Sequence, residues 1–111
     1  MILPYREDGD WKIILFPDGD WQKNSRLLMK TLEVLFLSGN RLIRLDLSSP
    51  RSLTSASYGF ILRAYKYCKE KEGDLKICNA PDEIKDVFKM TNLDFLLVND
   101  NAAPDLQNSI P

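Results

Sequence analysis

The strongest constraint on the fold is an alternation between two kinds of apolar pattern. Three short runs, Trp11–Phe16 (WKIILF), Leu42–Leu47 (LIRLDL) and Leu75–Cys78 (LKIC), read as buried strands. Longer segments of helical period lie between them. Leu28, Leu32, Leu35 and Phe36 fall at i, i+4, i+7 and i+8, with Leu27 and Thr31 widening the stripe. They predict a helix from about Gln22 to Ser38, stopped by Gly39-Asn40. Tyr58, Ile61, Leu62, Tyr65 and Cys68 predict a second helix from about Ser55 to Glu72, with Gly73 as its left-handed terminator. Strands alternating with helices over short connections require βα crossovers, hence a parallel or mixed sheet.

The ends extend this frame. Met1–Tyr5 is expected as an edge strand that tolerates Pro4, with a turn at Glu7-Asp8-Gly9-Asp10 leading into a hairpin partner at Trp11. Asn79–Glu83 opens a third helix with Pro81 and two acids in its first turn and Ile84, Val87 and Phe88 on its buried face. Asn92 ends it in a left-handed conformation, and Phe95–Val98 is expected as the last strand. The order is β-β-α-β-α-β-α-β. It defines an α/β fold with a four- to five-stranded mixed sheet and three to four helices packed mainly on one face. Residues 1–100 form one domain, and 101–111 are a polar C-terminal tail.

Composition narrows the function. The 15 basic and 16 acidic residues leave a net charge of −1, without the basic excess of a nucleic-acid binder. Histidine is absent, which removes the commonest general acid–base and the commonest zinc ligand. Cys68 and Cys78 lack metal or redox spacing; they are expected to be buried and reduced in a cytoplasmic protein, although sequence leaves a bridge open. The start, Met1-Ile2-Leu3-Pro4, turns polar at Arg6-Glu7-Asp8 and does not read as a secretory signal. No apolar run is long enough to insert into a membrane.

The candidate functional stretch is Leu42–Gly59, a strand, a loop and a helix start rich in hydroxyls. Thr54, Ser55 and Ser57 can cap the helix, and an exposed hydroxyl there can also accept a phosphate, which a helix N-terminus favours. Asp18, Asp20 and Asp46 could hold a metal or act as acid–base groups, but turn chemistry accounts for Asp18-Gly19-Asp20. Neither a dinucleotide fingerprint nor a phosphate loop is present. Trp21, beside that turn, is a candidate contact residue.

The element order, the LDLSS strand end and the hydroxyl helix start followed by a glycine resemble the STAS domain of anti-sigma factor antagonists. The family pattern Asp-Ser-Ser/Thr-Gly-Leu/Met-Gly falls without a gap on Thr54, Ser55, Ala56, Ser57, Tyr58 and Gly59. Leu15–Asp20 resembles the family's Leu-x-Gly-Glu-Leu-Asp segment. Val87–Leu93 resembles its Val-Leu-x-x-Thr-Gly-Leu run, with Asn92 at the usual glycine. Three motif positions depart. Thr54 replaces the aspartate, keeping a capping oxygen without the charge, and Ala56-Ser57 replaces Ser/Thr-Gly.

The resemblance implies a non-enzymatic, cytoplasmic bacterial signalling protein in transcription regulation, without cofactor, metal or catalytic residues. It implies docking on an anti-sigma factor with serine-kinase activity and phosphorylation at Ser55. The implied docking surface is Asp20, Trp21, Arg51, Thr54, Ser55, Ala56, Ser57, Tyr58 and Gly59. The alternative is a constitutive STAS subunit of a lipid-transport or signalling assembly without a working phospho-switch. A small enzyme using Asp18, Asp20 and Asp46 is a third reading.

Overall fold

The computed structural model describes residues 1–98 of the 111-residue chain. Four strands form one sheet in the order of the chain: β1 (Tyr5–Asp8), β2 (Trp11–Leu15), β3 (Leu42–Asp46) and β4 (Asp74–Cys78). The β1–β2 pair is an antiparallel hairpin, whereas β2, β3 and β4 are parallel. The crossovers are helices α1 (Trp21–Leu37) and α2 (Ser55–Glu70), and α3 (Asp82–Met90) follows β4. Because β2, β3 and β4 advance in one direction across the sheet, right-handed crossovers put α1 and α2 on the same face. The expected α/β architecture is therefore present, with four strands and three α-helices among the described residues.

Strand alternation sorts the two faces. Ile14, Leu45 and Ile77 stand in register and join Ile43 and Leu75 in the core with Leu28, Leu32, Leu35, Ile61, Ala64 and Phe88 from the helices. Ile13, Arg44 and Lys76 form the adjacent register row and point to the opposite face. There Arg44 lies 4.9 Å from the Trp11 ring centroid and 3.5 Å from Asp8. Full burial of a Leu or Ile stabilises by about 1.5–3 kcal/mol, so this one-sided core fixes the register.

Three elements differ from the sequence expectation. The first strand begins at Tyr5 rather than Met1. The apolar lead before it is a core plug instead: Leu3 is buried, and its N–H donates to Thr31 Oγ1 at 2.8 Å. Phe95–Val98 does not form a regular strand. Asp94–Leu96 is a 3₁₀ turn, followed by a single bridge from Leu97 to Ile77. The turn directs Leu96 into the core and leaves Phe95 edge-on to Tyr65. Finally, Gly73 is not the left-handed residue ending α2; Glu72 is, with φ 63°. The tail expected at 101–111 lies outside the described residues.

All three helices end in the same device. The residue after the C-cap is left-handed (Gly39, Glu72 and Asn92), and the next N–H bonds back to the helix. Those bonds are Asn40 to Leu35 O at 3.0 Å, Gly73 to Cys68 O at 2.8 Å and Leu93 to Phe88 O at 2.7 Å. Asn92 thus behaves as the sequence predicts.

Candidate functional site

Parallel β2, β3 and β4 deliver the N-termini of all three helices to the carboxyl edge of the sheet. Two aspartates tie the loops of that edge together. Asp46, at the end of β3, accepts the Ser48 N–H at 2.8 Å and the Asn79 amide at 3.0 Å, with Arg6 at 3.9 Å. Burial alone would disfavour its charge. The bonds from Ser48 and Asn79 and the positive charge of Arg6 outweigh that, and the carboxyl sits below its ordinary pKa. Asp18 reaches from the β2–α1 turn to the loop before α2: it accepts the Arg51 N–H at 3.1 Å and faces the Arg51 guanidinium at 3.9 Å.

Asp20 is the N-cap of α1, its carboxylate accepting from Gln22 N at 3.0 Å and Lys23 N at 3.3 Å. The three candidate carboxylates are thus committed separately, to a cap, a loop clamp and a buried pin. Among the described residues no group of three or more His, Cys, Asp or Glu is placed to hold a metal. The capping role of Asp20 was missed by sequence reading. Its signal was an Asp immediately before a helical apolar stripe.

At α2, Thr54 is the N-cap, with extended φ/ψ of −83° and 166°. Its hydroxyl accepts the Ser57 N–H at 3.2 Å and lies 3.0 Å from the Ser57 hydroxyl. Ser57 is buried at 2% exposure; Tyr58 is buried too, at 9%, and its ring meets Phe88 edge-on at 5.1 Å. Burial raises the Tyr58 hydroxyl pKa. Ser55, the first residue of α2, is exposed, as are Thr54, Ala56, Gly59, Arg51 and Asp20; Trp21 is half-buried. A side chain added at Gly59 would meet nothing within 4 Å, so this glycine leaves a flat, open patch one turn along from Ser55. A cleft of about 180 Å³ beside the patch is lined by Arg51, Ser52, Leu53, Tyr58, Glu83, Ile84 and Val87. Of the nine expected surface residues, Ser57 and Tyr58 lie beneath it and support it.

A four-stranded mixed sheet with helices on one face and a hydroxyl-capped α2 at its carboxyl edge is a STAS-like fold, and sequence comparison agrees. The STAS domain family model matches residues 21–109. The chain belongs to the STAS domain family. Among curated proteins no relative matches. The solution structure of the protein TM1081 is similar at 25% identity and a TM-score of 0.72, over 87% of this chain and 78% of that one. The crystal structure of a proposed anti-sigma factor antagonist from Thermotoga maritima is similar in fold at 21% identity. Its TM-score is 0.68, over 98% of this chain and 86% of that one.

Proposed function

We propose that this chain is a non-enzymatic cytoplasmic regulator of the anti-sigma factor antagonist type. It docks through the start of α2 on an anti-sigma factor with serine-kinase activity and is switched by phosphorylation of Ser55. The observation that carries this reading is the exposed Ser55 hydroxyl at the first position of α2, immediately after the Thr54 cap. Helix-start N–H groups without an intrahelical partner favour a phosphate there. The phosphate adds about −1.5 to −2 charge to a surface that must desolvate on docking. The open patch at Gly59 and the Asp18–Arg51 clamp present that surface in a fixed shape.

The test is binding of the purified chain to an anti-sigma kinase from its own cells. Ser55→Ala should bind like the wild type and resist phosphorylation, and Ser55→Asp should bind at least about tenfold more weakly. Equal binding by Ser55→Asp would remove the switch. The alternative, a constitutive STAS subunit of a lipid-transport or signalling assembly, is favoured by one observation. The Ser57 hydroxyl stands where the family has glycine and is buried against Thr54, which stiffens the helix start. Intact-mass analysis of the chain from its own cells separates the two: a stoichiometric phosphate supports the switch, and its absence under every growth condition supports the constitutive subunit.

A further inference from the structure

The far end of the helical layer carries a second surface. Between the C-terminal ends of α1 and α2 lies an open cleft of about 520 Å³ lined by Glu33, Phe36, Leu37, Arg41, Tyr67 and Lys71. Its floor is aromatic: the Phe36 and Tyr67 rings have centroids 5.8 Å apart. Its rim carries two cations, Arg41 and Lys71, and one acid, Glu33. The Arg41 guanidinium sits 5.2 Å from the Phe36 centroid, and the Lys71 ammonium 5.2 Å from that of Tyr67. Arg41 is held there by its Nη1, which donates to Phe36 O at 3.0 Å and Asn40 O at 2.8 Å. A guanidinium carries five N–H donors, so this anchoring does not use up its capacity for a carboxylate.

Two observations mark the cleft as a docking surface. Leu37, on its edge, is 89% exposed, and Val34, one turn earlier, is 40% exposed. They place an apolar strip on solvent beside the aromatic floor. The charge of the cleft is also net positive: Arg41 and Lys71 line it against one acid, Glu33, in a chain whose net charge is −1.

We infer that the α1–α2 cleft is a second protein-docking site that takes an acidic segment of a partner. An apolar side chain of that segment seats on the exposed Leu37 and the half-buried Tyr67, above the buried Phe36 ring, and its carboxylates pair with Arg41 and Lys71. Charge complementarity selects an acidic partner, and the aromatic floor supplies the central apolar contact that such interfaces need. The site is independent of Ser55. The helix between them spans about 24 Å, so an acidic partner can bind here while another surface engages the start of α2.

The experiment uses the full chain, isotopically labelled, and a synthetic fourteen-residue acidic peptide with leucines at i and i+4 among glutamates. Amide shifts should move at Val34–Arg41 and Tyr67–Lys71 and not at Thr54–Gly59. Arg41→Glu combined with Lys71→Glu should weaken the peptide about tenfold. Leu37→Ser should weaken it with the circular dichroism spectrum unchanged, because its side chain is already in water. Ser55→Asp should leave it unaffected, which separates this site from the proposed switch. A peptide with lysine in place of glutamate should not bind. Equal binding of both peptides, shifts elsewhere, or no response to the charge reversals would overturn the assignment. So would binding to vesicles of one part phosphatidylglycerol to three parts phosphatidylcholine without binding to the peptide, which would make the face a membrane-contacting one.

Discussion

The Thr54 and Ser57 hydroxyl oxygens lie 3.0 Å apart, one on the surface and one buried, at the start of α2. The Thr54 oxygen also accepts the Ser57 N–H, so a single side chain closes the first turn. Thr54→Ala should lower stability by about 1 kcal/mol, read as a lower urea midpoint with an unchanged slope. Thr54→Asp restores the family's usual residue and keeps a capping oxygen. It adds a negative charge that the helix N-terminus favours by about 0.3–1 kcal/mol. Its midpoint should equal or exceed that of the wild type.

Asp46 joins two loops through one buried carboxylate. Its pKa is lowered in the fold, so the unfolded chain binds the proton more readily. The stability it contributes is therefore complete above the unfolded value of about 3.9 and is lost as pH falls through the lower folded value. Asp46→Asn should cost about 1.5–3 kcal/mol at neutral pH, the range for bonds to a charged group. In urea melts repeated down the pH scale, the gap from wild type should stay constant to mild acid and then narrow. A gap independent of pH would show that the charge contributes nothing.

At the end of α2 the two neighbours Glu72 and Gly73 divide the work expected of one glycine. Glu72 holds the left-handed conformation at φ 63°. Gly73 lies against the Arg41 carbonyl oxygen and the Phe36 ring, and an added Cβ would fall 2.9 Å from that ring and closer still to the oxygen. Gly73→Ala should therefore destabilise by about 1–3 kcal/mol, the cost of overpacking. Glu72→Gly should stabilise by up to about 1 kcal/mol by relieving the left-handed penalty. Thermal melts of the two variants should shift in opposite directions.

The two thiols are expected to report on unfolding. Cys68 is fully buried, and burial, with the Asp74 charge as a smaller contribution, pushes its thiol up to about 12. Cys78 is 7% exposed. A thiol reagent near neutral pH should find neither group in the native protein and both after denaturation. The native reaction rate should rise with urea in step with unfolding.

What could be read from the chain follows from what its patterns encode. The stripe Leu28, Leu32, Leu35, Phe36 and the short runs around Ile14, Leu45 and Ile77 are periodic, so the strands, the helices and their shared face were legible. The start of α2 at Ser55 was legible because a capping hydroxyl, here Thr54, stands directly before the first helical residue. Periodicity failed at Phe95–Val98, where four apolar residues fit a strand or a turn equally well. The 3₁₀ turn is chosen by the space above β4 that Leu96 fills. Asp18, Asp20 and Asp46 could not be told apart by residue type; their separate roles are set by contacts with Arg51, the α1 N–H groups and Asn79. The inward turn of Ser57 was hidden in a motif that reads as all surface. The face of α2 that is buried runs through Ser57, Ile61, Ala64 and Cys68, and the small residues on it carry little hydrophobic signal.

The Asp18–Arg51 link gives the sharpest separation between stability and surface shape. Its ion pair is exposed, at 3.9 Å, and pairs of that kind contribute only about 0–1 kcal/mol. The bond from the Arg51 N–H to Asp18 Oδ1, at 3.1 Å, instead fixes the path of the loop that leads into Thr54. Asp18→Ala should leave the urea midpoint almost unchanged. Hydrogen exchange should nonetheless speed up at the Arg51 amide and stay unchanged in α1 and β3. If Ser55 lies on a docking surface, that loop is part of what a partner meets, and Asp18→Ala should weaken docking by ordering cost alone. The loss should appear in the association entropy, with Ser55 still phosphorylated at the wild-type site. A large drop in global stability would instead make Asp18 a structural pin like Asp46.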